Sequence, residues 1–302
     1  MRITDRPVLI GALIGILVLL FYFSKEMTLM EKSIGLLTTY KDSIQEANVP
    51  TAASELRLPE EFPHLSAEDP VLREYVKRRL IQPPAVGDYK LLKPDRTHFS
   101  QFTQSQIANN LLKGLDKGFF LEAGALDGED KSNTLFFERE RSWTGLLVEP
   151  DPSQFKVLIS KKRKAYSINA AFSLSNSSDV VKFMPIRALG RLVPGSKQGI
   201  LVKTVPIATI LQALEVTQID FFSLDIEGAE MQVLATFPWN EVKVRLMCIE
   251  VNHVGFEPVD SFMKKQGYMY VGKRYIDAWY GWKDLLKETV NLDEYPKEVL
   301  LP

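Results

Sequence analysis

From Phe119 to Val271 the chain alternates short apolar runs with stretches of helical spacing, and no other feature constrains its fold as strongly. Two parallel strands need a crossover between them, so this alternation builds a parallel sheet with helices packed on both faces. The spacing predicts strands at Phe119–Ala123, 146–148, 165–169, 221–224, 246–251 and 268–271, with helices in the gaps. Residues 182–184 and 202–205 read as an insertion or as additional strands before the fourth. Past Trp279 the pattern fades into a charged tail that ends in Leu301 and Pro302. The fold class expected is α/β and Rossmann-like.

Composition narrows the function classes. With 302 residues, 45% hydrophobic and 25% charged, the chain has the balance of a globular protein with one large core and flanking segments. Its formal net charge of -1 gives no global attraction to a phosphate backbone, and the basic run Lys161, Lys162, Arg163, Lys164 is local, so no nucleic-acid partner is expected. The single cysteine, Cys248, lies in the apolar run 244–251 and reads as a small buried hydrophobe, not a reactive thiol.

Residues 8–23 carry no charge, and at 1.5 Å per residue they span roughly 24 Å, which suits a thin bilayer. No small-x-small cleavage pattern follows, so the run reads as an uncleaved signal-anchor behind a cytoplasmic tail of residues 1–7. Arg2 and Arg6 precede it, while Lys25 and Lys32 are offset by Glu26 and Glu31, an asymmetry that puts the main domain in the lumen. A single-pass type II membrane protein of the secretory pathway (endoplasmic reticulum, Golgi or endosome) is expected, with Asn176-Ser177-Ser178 as an N-glycosylation site. Residues 24–97 read as stalk and linker. There Met27, Met30, Ile34, Leu37 and Ile44 recur at helical spacing, either for self-association or for lying on the membrane or the domain. Asp69-Pro70 opens a short helix that Pro83-Pro84 ends. The main domain is then 98–280 and the tail 281–302.

In doubly wound sheets ligands bind outside the carboxyl ends of the strands. After the first predicted strand comes Glu122-Ala123-Gly124-Ala125-Leu126-Asp127-Gly128, whose glycines let backbone approach a ligand closely. The run lacks G-x-G-x-x-G spacing, which argues against a dinucleotide. Glu149 ends the second strand about 25 residues on, where a carboxylate accepts both ribose hydroxyls of an adenosine. Asn169 follows the third strand, facing an adenine edge. The fourth ends in Asp225-Ile226-Glu227-Gly228-Ala229-Glu230, a cluster of carboxylates that a purely structural account would have to pair several times over. Glu250, Asn252 and His253 follow the fifth strand towards the same cleft.

Three motifs in order, F-F-L-E-A-G-A-L-D-G-E, T-G-L-L-V-E-P-D-P and F-F-S-L-D-I-E-G-A-E, resemble the FkbM-type methyltransferase family. Within it, D-P-V-L-R-E-Y-V-K-R-R-L-I-Q-P-P, S-Q-F-T-Q-S-Q and S-N-T-L-F-F-E-R-E-R-S-W-T-G-L-L-V-E-P are similar to the Star-like proteins of arthropods, and the likeness covers roughly residues 69–271. The resemblance implies an S-adenosylmethionine-dependent methyltransferase fold behind an N-terminal transmembrane helix and stalk. It also implies S-adenosylmethionine as cofactor, with Glu122, Gly124 and Asp127 around its methionine part, Glu149 on the ribose, and Asp225 and Glu227 bordering the acceptor. Thr103 stands where relatives tend to carry glycine.

Two function classes compete on these grounds. One is an O-methyltransferase in which Asp225, Glu227 or His253 assists as base. The other, implied by the Star-like resemblance, is a non-catalytic factor with protein clients, growth-factor precursors moved from the endoplasmic reticulum towards the Golgi in epidermal growth factor receptor signalling. A weaker third takes Asp225-Ile226-Glu227 as the divalent-metal site of a luminal glycosyltransferase. The adenosine reading prevails over it, so no metal ligand is assigned.

Overall fold

The computed structural model describes residues 58–283. The expected signal-anchor at 8–23, the helical spacing from Met27 to Ile44 and most of the expected tail lie outside those residues. Among the described residues no helix is long and apolar enough to cross a membrane.

The chain enters the fold through helix α1 (Pro70–Tyr75), where Asp69 Oδ1 accepts from Val71 N at 2.8 Å and proline takes the first turn. A π-helical turn (Val76–Leu80) leads into strand β1 (Ile81–Gln82), and helix α2 (Gln104–Leu111) precedes the central strand β2 (Phe119–Ala123). There follow α3 (Leu135–Glu140), β3 (Thr144–Val148), α4 (Pro152–Ser160), β4 (Tyr166–Ile168) and β5 (Ala171–Phe172). Next come β6 (Asp179–Met184), β7 (Arg191–Leu192), β8 (Ile200–Val205), α5 (Ile207–Ala213) and β9 (Gln218–Leu224). The chain continues through α6 (Glu230–Thr236), β10 (Lys243–Glu250), α7 (Phe256–Lys265), β11 (Tyr268–Arg274) and β12 (Asp277–Trp282).

Eight strands form the main sheet in the order β1-β4-β3-β2-β9-β10-β12-β11. The run β4-β3-β2-β9-β10 is parallel throughout, and β12 slots antiparallel between β10 and β11. Strand order therefore steps outward one way through β3 and β4 and the other way through β9 and β10. The reversal falls between β2 and β9, and a crevice opens there at the carboxyl ends.

Why these strands form follows from their two buried faces. Phe120, Leu147, Phe221 and Cys248 pack against Ile107, Leu111, Phe137 and Leu158 of α2, α3 and α4. Leu121, Leu146, Phe222 and Met247 pack on the other face against Leu72, Ile210, Val233 and Val259 of α1, α5, α6 and α7. With both faces covered, alternation gives way to continuous apolar runs, and each fully buried Leu or Phe contributes about 1.5–3 kcal/mol.

Two expectations need correction. The tail expected from residue 281 begins inside strand β12, where Trp279 and Tyr280 are among the most deeply buried side chains. Trp279 stacks on Phe221 with centroids 6.0 Å apart and planes at 4°. The region read as stalk reaches into the folded unit. Leu72, Tyr75, Val76 and Leu80 join the core, and β1 extends the sheet by pairing with β4, so the domain begins well before residue 98. The extra strands before the fourth form a separate four-stranded sheet, β5-β8-β6-β7. Thr103 holds φ +64°, a left-handed backbone that glycine adopts more readily than threonine.

Candidate active site

The turn after β2 is built around close backbone approach. Gly124 has φ +82°, and a Cβ placed on it would lie 2.1 Å from the Asp225 carbonyl oxygen, so only glycine lets β2 and β9 end side by side. Gly124 N and Ala125 N both donate to Val148 O at 3.1 Å, which ties the same turn to the end of β3. The three strand ends that sequence reasoning singled out thus meet at one point. Gly124, Glu149 and Asp225 line one cleft of about 280 Å³.

Glu149 is buried, and its two oxygens accept from Leu126 N and Asp151 N, each at 2.8 Å. Burial raises its carboxyl to about 8, against the lowering effect of those two bonds. Each carboxylate oxygen has a second lone pair, so acceptor capacity remains for a ligand. Glu122 also lines the cleft, but its carboxylate is engaged by Asn133 N (2.5 Å), Ser132 Oγ (2.9 Å) and Thr134 Oγ1 (2.5 Å). It fastens the loop 132–134 under the cleft, and burial holds its pKa above the ordinary value despite Arg163 and those donors.

Two expected site residues point elsewhere. Asp127 Oδ1 accepts from Glu129 N (2.9 Å) and Asp130 N (2.7 Å), closing its own turn, and the residue borders a separate hollow with Phe99 and Glu129. Asn169 spends its amide on Glu149 O (2.8 Å) and Pro150 O (3.1 Å) and is not part of the cleft lining. Both shape the site through backbone.

The wall opposite Glu149 is acidic. Asp225 sits half-buried on the cleft floor, and its carboxyl is pushed up by burial and then by Glu227, Asp277 and Glu230. Glu250, buried at the end of β10, is pushed up by burial and then by Asp225, Glu227 and Glu230. Glu227 adopts φ +59°, a left-handed conformation that is strained for a residue with a side chain, and such strain gathers at functional sites. That conformation accompanies an Oε2 placed 2.7 Å from His253 Nε2, with Glu250 Oε1 at 3.7 Å from the same nitrogen. Glu230, expected in this cluster, instead accepts from Ile226 N (3.0 Å) and Gly228 N (3.1 Å) and secures the loop.

Sequence reasoning missed two contributors. Asp277 opens β12 opposite Glu250, accepts from Gln104 Nε2 at 2.8 Å, and is raised to about 6 by burial. It lies past the last predicted strand, 268–271, so nothing flagged it. Arg187 and Leu189, between β6 and β7, form the rim, and Arg187 Nη2 reaches Asp130 Oδ2 at 2.9 Å across to the turn after β2. Phe172 and Phe183 of the small sheet supply apolar wall. Only topology reveals that this insertion folds over the cleft.

Residues 122–270 match the family model of the methyltransferase FkbM domain. Among solved structures the chain is similar to a precorrin-6y C5,15-methyltransferase from Geobacter metallireducens GS-15. The two are 12% identical with a TM-score of 0.33, over 62% of this chain and 82% of that one. No curated protein matches.

Proposed function

We propose that this methyltransferase-fold protein binds S-adenosylmethionine at the β2–β9 switch point and methylates a hydroxyl oxygen of an acceptor. The observation that carries the reading is the convergence of Gly124, Glu149 and Asp225 on one cleft. The residues present fit the cofactor. Gly124 lets the ends of β2 and β9 meet beside the cleft, Glu149 keeps lone pairs for two ribose hydroxyls, and the acidic floor complements a sulfonium and an ammonium group.

When bound, the cofactor supplies an electrophilic methyl group. Everything else falls to the chain. Glu149 orients the ribose, Glu122 fastens the loop 132–134 under the cleft, Asp127 closes the turn that follows, and the turn at Gly124, tied to Val148 O, receives the methionine part. Phe172 and Phe183 exclude water from the apolar side. Asp225, whose proton affinity is raised by burial and by the neighbouring carboxylates, would in its ionised form accept the proton of the acceptor hydroxyl. Glu227 and His253 border the place where that acceptor sits, and alignment of acceptor with methyl supplies much of the rate. Calorimetric titration of the full chain with S-adenosylmethionine tests the reading. Saturable binding at one site per chain is expected, and no heat at millimolar cofactor would overturn it.

We also infer that residues 8–23 anchor the chain in a membrane of the secretory pathway with the domain in the lumen. The uncharged run and the flanking Arg2 and Arg6 support this, as does the exposed position of Asn176 between β5 and β6. In secretory cells, glycosidase treatment should increase the mobility of the chain but not that of Asn176→Gln. Digestion of the domain by protease added to sealed microsomes would sink the orientation.

A further inference from the structure

We infer that Glu227, Glu250 and His253 form a divalent-cation site on the acceptor side of the cleft, suited to a transition-metal ion of intermediate hardness such as Mn²⁺. The three side chains come from two strand ends. Glu227 lies in the loop after β9, Glu250 ends β10, and His253 lies in the loop after β10. One donor atom from each, two carboxylate oxygens and an imidazole nitrogen, lies within 4.8 Å of the other two. The His253 Nε2 distances of 2.7 Å to Glu227 Oε2 and 3.7 Å to Glu250 Oε1 bracket the spacing of donors that share one ion at about 2.0–2.2 Å.

A second observation points to a ligand. Glu250 Oε2 is buried without a hydrogen-bond partner among the donors of the protein, its side chain is 3% exposed, and the residue lines the cleft. Among the described residues no Lys or Arg forms an ion pair with Glu227 or Glu250. Elsewhere two buried carboxylates of this fold are paired with cations, Glu129 with Lys161 and Glu138 with Arg163. Acidic groups left together without a cation of the protein's own are what a bound dication neutralises. Two hard oxygen donors and one imidazole suit Mn²⁺ or Zn²⁺ better than Ca²⁺. Three protein ligands also leave coordination positions open, and His253, 43% exposed, marks the open side.

The site deepens the methyl-transfer reading and rests on it only for its use. A cation there would hold the acceptor oxygen beside Asp225 and favour its deprotonated form. An acceptor with two neighbouring oxygens, able to chelate, then becomes the favoured substrate class.

Electron paramagnetic resonance tests this directly, because the signal of free Mn²⁺ weakens when the ion is bound. Chelator-treated full chain titrated with Mn²⁺ should take up about one equivalent, and Zn²⁺ should displace it. His253→Ala and Glu250→Gln should each weaken uptake about tenfold or more. Should Glu250→Gln fail to fold, His253→Ala still decides, since His253 is surface-accessible. An undiminished free-ion signal at millimolar chain, or uptake unchanged in His253→Ala, would overturn the site. The titration contains no cofactor, so Mn²⁺ uptake without S-adenosylmethionine binding would retire the methyl-transfer reading and leave the cation site standing.

Discussion

Glu149 carries two jobs at once, which sets what its removal should do. Its oxygens hold Leu126 N and Asp151 N, so they shape both the turn after β2 and the start of α4, and they face the cleft. Glu149→Ala should weaken S-adenosylmethionine binding by about 1 kcal/mol or more, roughly fivefold, the scale of a lost hydrogen bond. Calorimetry on wild type and variant reads this, and equal affinities would remove Glu149 from the cofactor site. The same residue shows what was legible in the sequence. Position at a strand end is set by the apolar run before it, so Gly124, Glu149, Asp225, Glu227 and His253 were all brought to one cleft as expected. Side-chain direction inside a turn is set by local hydrogen bonds that leave no periodicity. Hence Asp127 and Asn169 were located correctly along the chain and yet turn their polar groups to backbone.

At the scale of elements, the parallel strands were the legible part because burial on both faces forces apolar runs. Their ends were less so. Strand β9 starts at Gln218 and β10 at Lys243, several residues before the apolar stretch that betrays them, because ladder hydrogen bonds continue where side chains are already polar. Two-residue strands such as β1 and β5 leave no pattern at all. Strand β12 was hidden for another reason. Its aromatic residues adjoin a charged segment, and only the gap between β10 and β11 gives them a partner. The basic run 161–164 carries a related lesson. Lys161 and Arg163 are buried, Lys161 Nζ at 2.6 Å from Glu129 Oε2 and Arg163 Nε at 2.9 Å from Glu138 Oε2. Arg163 also donates to Gly128 O and Thr134 Oγ1, bracing the loops beneath the cleft. A cluster that looks like a surface patch in the sequence is half structural, which removes it further from any nucleic-acid role.

For the whole molecule, the excess of raised carboxyl groups fixes how stability responds to pH. Glu149 rises from an ordinary 4.5 to about 8 through burial, opposed by its bonds from Asp151 N and Leu126 N and reinforced by the Asp151 carboxylate. Asp277 rises to about 6, also through burial, and Glu122 and Glu230 move in the same direction. A group raised on folding binds protons more tightly in the folded state. Its contribution is complete below the unfolded value and is lost as pH climbs through the folded one. Glu129 is the counterexample. Although burial works to raise it, bonds from Lys161, Leu92 and Lys93 leave it lowered, so its contribution is lost as pH falls below the ordinary glutamate range. With raised groups in the majority, the chelator-treated chain should be most stable near pH 5 and lose melting temperature steadily towards pH 8. Glu149 by itself contributes at most about 1.4 kcal/mol per pH unit in that window. Thermal unfolding of the full chain across pH 5 to 9 reads the slope. A melting temperature that is flat or rises over that interval would mean that Glu149 and Asp277 are ionised in the folded state and that the cleft is wetter than its burial implies.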